Sequence, residues 1–178
     1  MRRILALLIV ASLLVPLACG QRGEPVAEQP AGEAAAALAA GEIRWLSYGD
    51  GVAKAAAENK PMLIDFWTDW CHWCKVMDKD TYGNEEVRRR LVQHFITVKV
   101  DAESAQPQGG QGAATGIALA SSFQVTAYPT TWFVDSHGEK IDALPGFVPP
   151  DQFTAILDYI ASGAYKTQTF VDYQASRG

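Results

Sequence analysis

Cysteine is scarce: the chain has three in 178 residues. So few exclude a fold stapled by several disulfides. No apolar run is long enough to span a bilayer comfortably. Positive charge is in the minority, with 15 Lys and Arg against 20 Asp and Glu and a formal charge of −5. A chain of that sign has no electrostatic reason to bind nucleic acid. Ligands for a metal are also short. Cys71 and Cys74 supply half of a zinc site, no second pair exists, and His94 and His137 stand apart. Covalent haem attachment needs histidine directly after the second cysteine, where this chain has Lys75. No metal and no cofactor are therefore expected. What remains is ordinary, with 48% hydrophobic and 20% charged residues, enough for one soluble globular core.

The N-terminus reads as an address. Met1-Arg2-Arg3 is followed by Ile4–Leu17, apolar except for Ser12 and Pro16, which is the pattern of a secretory signal. Leu17-Ala18-Cys19-Gly20 resembles a bacterial lipoprotein cleavage site, which makes Cys19 the expected lipid attachment point. The alternative is ordinary cleavage with Cys19 discarded. Residues 1–19 are thus assigned to the signal. Residues 20–41, rich in Ala, Gly, Glu and Pro, form a tether that cannot bury a core. Residues 42–163 form the domain. Residues 164–178 are a tail with no readable signal.

Within the domain, Asp50 is the expected cap of a helix with Val52, Ala53 and Ala56 on its inner face, stopped at Lys60-Pro61. Met62–Trp67 is a short apolar run, expected as a strand buried on both faces, with Trp67 in the core. A helix should start at Cys71, run to about Lys79 and bend near Gly83. Asn84 caps a second stretch bearing Val87, Leu91, Val92 and Phe95. Ile96, Val98 and Val100 alternate with polar residues up to Asp101, a strand pattern. Ser104–Gly116 is a flexible insertion, and Ile117–Phe123 a short helix. Thr130–Asp135 and Glu139–Leu144 form a hairpin. Pro150 and Asp151 open a last helix with Phe153, Ile156, Leu157 and Ile160 inside, ended by Gly163. A long helical crossover between the first strands favours parallel pairing, and the hairpin is antiparallel. The fold class is α/β, with a mixed sheet flanked by helices on both faces.

The chemistry concentrates in Trp70-Cys71-His72-Trp73-Cys74-Lys75. Thiol–disulfide exchange needs one thiolate to attack and a second thiol to resolve the mixed disulfide. Two cysteines three positions apart at a helix entrance lie on one face and can bridge. Cys71, in the first turn, faces unpaired backbone N–H groups that lower its pKa below the free value of about 8.5. It is assigned as the nucleophile. Cys74, a turn inward and less exposed, is assigned as the resolving thiol. His72 either adds positive charge beside the thiolate or is simply solvated. Asp65 is the anomaly: a carboxyl inside an apolar strand is costly when charged, its pKa rises, and it suits a proton acceptor for Cys74. Trp70 and Trp73 form an apolar docking patch at the lip of the site.

The run Ile64–Lys75 resembles the active-site stretch of thioredoxins nearly position by position, and Tyr128-Pro129-Thr130 resembles the family's cis-proline segment. Lys60-Pro61, Asp78, Thr81-Tyr82 and Val98–Asp101 make the chain similar to periplasmic reductase domains, such as the C-terminal domain of the transmembrane thiol-disulfide interchange protein. The resemblance covers roughly Gly41–Gly163. It implies a thioredoxin fold, a cis peptide at Pro129, and a Tyr128 backbone that pairs with substrate beside Trp70, His72 and Trp73. It also implies Asp78 as a helper in proton transfer. Protein disulfides are the implied substrates, an integral membrane thiol–disulfide carrier the electron donor, and the periplasmic face of the bacterial envelope the location. Oxidase, isomerase and a non-catalytic binding module stay open as alternatives. Two departures stand out: His-Trp between the cysteines in place of Gly-Pro, and the length of the 104–116 insertion.

Overall fold

The computed structural model describes residues 41–110 and 112–177. The signal, Cys19 and the tether up to residue 40 lie outside the described residues. Helix α1 spans Tyr48–Glu58 and strand β1 spans Met62–Trp67. Helix α2, His72–Val76, passes directly into a π-helical turn, Met77–Tyr82, and α3 follows at Glu85–His94. Strand β2 is Ile96–Asp101 and helix α4 is Gly116–Ser122. Strands β3, Thr130–Val134, and β4, Lys140–Pro145, form the hairpin. Helix α5 is Pro150–Ala161, and after a 3-10 turn at Ala164–Lys166 the short α6 spans Phe170–Ala175.

The sheet order is β2-β1-β3-β4, with β1 and β2 parallel and the other pairs antiparallel. Strand β1 therefore sits inside the sheet and presents both faces to protein. Met62, Ile64 and Phe66 join one core with Val98, Val100, Ala55 and Leu119. Leu63 joins the other, with Met77, Tyr82, Leu91, Phe133 and Phe153. Strand alternation puts Asp65 on the Leu63 face, under the helical segment that carries the cysteines. The free edge of β2 is partly closed by Leu46, whose N–H donates to Thr97 O (2.9 Å) and whose carbonyl accepts from Lys99 N (3.2 Å).

Three expectations are corrected. Ser47, not Asp50, caps α1 through its side chain, and the buried face is Gly51 and Ala55 while Val52, Ala53 and Ala56 are exposed. The helix lies so close to the sheet that a Cβ on Gly51 would stand 2.2 Å from Val98 Cγ2, so the smallest residues face in, not the most apolar. The helix from Cys71 does not run regularly to Lys79. The π turn widens the spacing, which buries Met77, Thr81 and Tyr82 together while Asp78 stays outside. Among the described residues of the 104–116 insertion Gly116 opens α4 and the others form no helix or strand, yet the loop is pinned: Gly49 N donates to Gln108 O, and Gln108 N donates to Ala114 O. The tail is ordered, because Phe170 and Tyr173 pack their rings on Tyr159 of α5.

Gly116 opens α4 with its ideal Cβ position 1.9 Å from the carbonyl oxygen of Asp101, a backbone atom that cannot turn aside. Gly116→Ala should lower unfolding stability by about 1–3 kcal/mol in urea titration. Gly110→Ala, with nothing within 4 Å of its Cβ, should stay within about 0.5 kcal/mol of the parent.

Candidate active site

Cys71 and Cys74 are joined as a disulfide with an S–S distance of 2.04 Å. Cys71 is the N-cap of α2: its sulfur accepts from Cys74 N at 3.0 Å, and its own N–H donates to Thr68 O. The sulfur atoms thus stand where the unpaired N–H groups of a helix start stabilise negative charge. Both cysteines are 3% exposed, so Cys74 is not the more shielded of the two. Once bonded, the two sulfurs share one sheltered place.

The sheet register builds the polar floor of this region. Asp65 is paired with Lys99 on β2 and with Thr131 on β3, so three polar side chains stand in a row on one face. Asp65 is 2% exposed, and its Oδ1 has no hydrogen-bond partner. Lys99 Nζ lies 3.6 Å from Asp65 Oδ2 and 2.5 Å from Asp78 Oδ1. The Lys99 ammonium also sits over the rings of Trp45 and Trp67, at 5.1 and 5.6 Å from their centroids. Burial pushes the Asp65 carboxyl from its ordinary 3.8 up to about 7; Lys99 pulls against the rise and Asp78 adds to it. Tyr82, buried in the same place, hydrogen-bonds with Thr131 at 3.2 Å, and burial raises its hydroxyl well above the usual tyrosine range.

Two aromatic pairs border the cysteines. Trp70, 66% exposed, meets Tyr128 edge-on at 5.9 Å and donates from Nε1 to both carboxylate oxygens of Glu103. Trp73, 55% exposed, lies against Phe147 at 5.7 Å, with the exposed His72 ring at its edge. The Tyr128–Pro129 peptide is cis, and Pro129 is buried. Trp67 is corrected: it is half-buried rather than core, because it lends its face to Lys99.

The fold therefore gathers Cys71, Cys74, Trp70, His72, Trp73, Tyr128 and Pro129 around one surface, with Asp65 behind it and Asp78 reaching Asp65 through Lys99. Sequence reasoning missed the parts played by Lys99, Thr131, Tyr82, Glu103 and Phe147. Lys99 was findable, since it interrupts the Ile96–Val100 run at the pleat position that register sets against Asp65. The rest depend on tertiary placement. Among the described residues no group of three or more His, Cys, Asp and Glu side chains is placed to hold a metal, and no helix is long and apolar enough to cross a membrane.

Asp65 binds its proton more tightly in the folded state than in the unfolded chain. Its contribution to stability is complete below about pH 3.8 and is lost as pH rises through about 7. Asp65→Asn removes that loss. In thermal unfolding the variant should gain on the wild type between pH 4 and 8, by on the order of 4 kcal/mol at most. A difference that stays flat across this window would contradict the burial argument.

The family model described as a thioredoxin-like domain matches residues 48–161. The disulfide bond reductase DsbH of Chlamydia pneumoniae is 27% identical over 113 residues, covering 63% of this chain and 68% of that protein. The thiol:disulfide interchange protein DsbD of Yersinia pestis is 32% identical over 102 residues, 56% of this chain and 16% of that protein. Spermatogenesis-associated protein 20 of Homo sapiens is 39% identical over 62 residues, 34% of this chain. The chain spans only 8% of that human relative, as it spans only a small part of DsbD. A thioredoxin-fold protein from Helicobacter pylori superposes with a TM-score of 0.58 at 24% identity, over 68% of this chain and 88% of that one. With a cysteine pair bonded at a helix entrance and a family match across most of the domain, the chain belongs to the thioredoxin-like family.

Proposed function

We propose that this protein reduces protein disulfides on the periplasmic side of a bacterial envelope, using the Cys71–Cys74 couple and no other cofactor. The observation that carries this reading is Asp65, a buried carboxyl whose proton affinity is raised to about 7 on the sheet face under the cysteine-bearing helix. A group that is neutral or charged near pH 7 can accept a thiol proton and give it up again.

The chemistry balances without a co-reactant beyond the dithiol. Cys71 thiolate attacks one sulfur of the substrate disulfide and forms a mixed disulfide, releasing the other sulfur as a thiolate. Asp65 takes the Cys74 proton. Cys74 then attacks Cys71 Sγ, closes the Cys71–Cys74 bond and releases the second substrate sulfur. The substrate gains two electrons from the dithiol, and its two thiolates take protons from solvent, balancing the proton Cys71 gave up on ionising and the Cys74 proton that Asp65 returns to solvent. Lys99 and Asp78 link the Asp65 proton to solvent. Trp70, His72 and Trp73 form the apolar rim, and the Tyr128 backbone before cis Pro129 pairs with an extended substrate segment. An integral membrane thiol–disulfide donor recharges the couple by the reverse exchange. Lipidation at Cys19 and the 20–41 tether hold the domain near that donor. The names of the relatives, a disulfide bond reductase and an interchange protein, support this direction.

Insulin reduction tests it. Cys71→Ser should abolish turnover, and Cys74→Ser should accumulate a mixed disulfide through Cys71. Activity of Cys71→Ser equal to wild type would end the catalytic reading. The reduction potential should fall nearer thioredoxin's roughly −270 mV than the roughly −120 mV of a strong oxidant. A value at the oxidising end would reverse the direction.

A further inference from the structure

Asp65 has an unresolved need that Lys99 does not meet. The lysine serves one side of the carboxyl, at 3.6 Å from Oδ2, while Oδ1 is buried without a settled partner. A buried acceptor left without a donor is destabilising. The groups facing the carboxyl come from three elements. Lys99 stands on β2, Thr131 on β3, and Asp78 and Tyr82 on the π turn. Lys99 can only donate, and a charged Asp78 can only accept. Tyr82 can do both. Its hydroxyl hydrogen-bonds with Thr131 at 3.2 Å, the residue that register sets beside Asp65.

We propose that Tyr82 is a positioning residue whose hydroxyl links Thr131 to Asp65 and serves that carboxyl in both of its protonation states. Thr131 donates to Tyr82 and Tyr82 donates to Asp65 while the carboxylate is charged. When Asp65 holds the thiol proton it donates to Tyr82, which donates to Thr131. No proton leaves the chain of three; the hydroxyl hydrogens turn. A shuttle needs both states to be supported, and Lys99 favours only the charged one.

Tyr82 is locked for this task. It is 4% exposed, its ring meets Trp45 at 5.0 Å and Phe153 at 5.8 Å, and the neighbouring Thr81 hydroxyl donates to Val148 O at 2.7 Å. The π turn brings Tyr82 to the inner side while leaving Asp78 on the outer side, so one short segment supplies both partners of the carboxyl.

This inference rests on the proposed role of Asp65 and is tested apart from turnover. In the oxidised full chain, the Asp65 carboxyl is titrated by carbon-13 NMR. A donor lost from the charged form raises its proton affinity, so Tyr82→Phe should move the midpoint upward by about half a pH unit or more. An unchanged midpoint in a folded Tyr82→Phe protein overturns the proposal. Should that variant not fold, the ring carbon bearing the Tyr82 hydroxyl is followed in the wild type. It should inflect at the Asp65 midpoint, and no inflection overturns the proposal. In the reduced chain, Tyr82→Phe should shift the pH profile of Cys74 attack by the same amount, about threefold in rate on its rising limb. Both NMR results are obtained without catalysis. Coupled titration in a chain inactive on disulfides would refute the catalytic reading of Asp65 and leave the Tyr82 link intact.

Discussion

One carboxyl group placed where water cannot reach it governs this structure. Asp65 occupies the inner strand of the sheet, so both of its strand neighbours are protein and neither face is open. An ion in that position would cost several kcal/mol, and the surroundings answer the cost in part. Lys99 is brought alongside by parallel register and kept there by two indole rings. Asp78 draws the same ammonium toward the surface. The result is a compromise in which neither protonation state dominates at neutral pH, the condition a proton acceptor for a thiol requires.

The sulfurs and the carboxyl are supplied by consecutive pieces of chain. Strand β1 ends at Trp67, a turn holds Cys71 N to Thr68 O, and the helix begins at the first sulfur. The helix start offers its N–H groups to charge at Cys71, and Asp65 lies buried in the strand that leads into that turn. The aromatic residues act outward. Trp70 is highly exposed yet fixed in direction by Glu103 and Tyr128, and Trp73 by Phe147.

Much of this was legible in the sequence because it depends on local pattern. The apolar run around Asp65, the spacing of Cys71 and Cys74, and the alternation in β2 each announce an element without help from the rest of the chain. The misread portions depend on distance between elements. Helix α1 turned Gly51 and Ala55 inward because it packs too near Val98 for larger groups, and no periodicity carries that information. The π turn looks like ordinary helix in sequence; its extra residue shows only in which side chains bury. Thr131 and Tyr82 stand far from Asp65 in sequence and meet it only through register and helix docking. The tail gained order by packing two rings on Tyr159, contacts that polar neighbours disguise.

The central claim is that Asp65 accepts the Cys74 proton. It is tested most directly by following, in a single turnover of the reduced protein with a small disulfide, the pH dependence of the step in which Cys74 attacks the mixed disulfide. The account predicts an inflection near 7 in the wild type, and a slower, displaced profile without that inflection in Asp65→Asn. Superimposable profiles from the two proteins would contradict it.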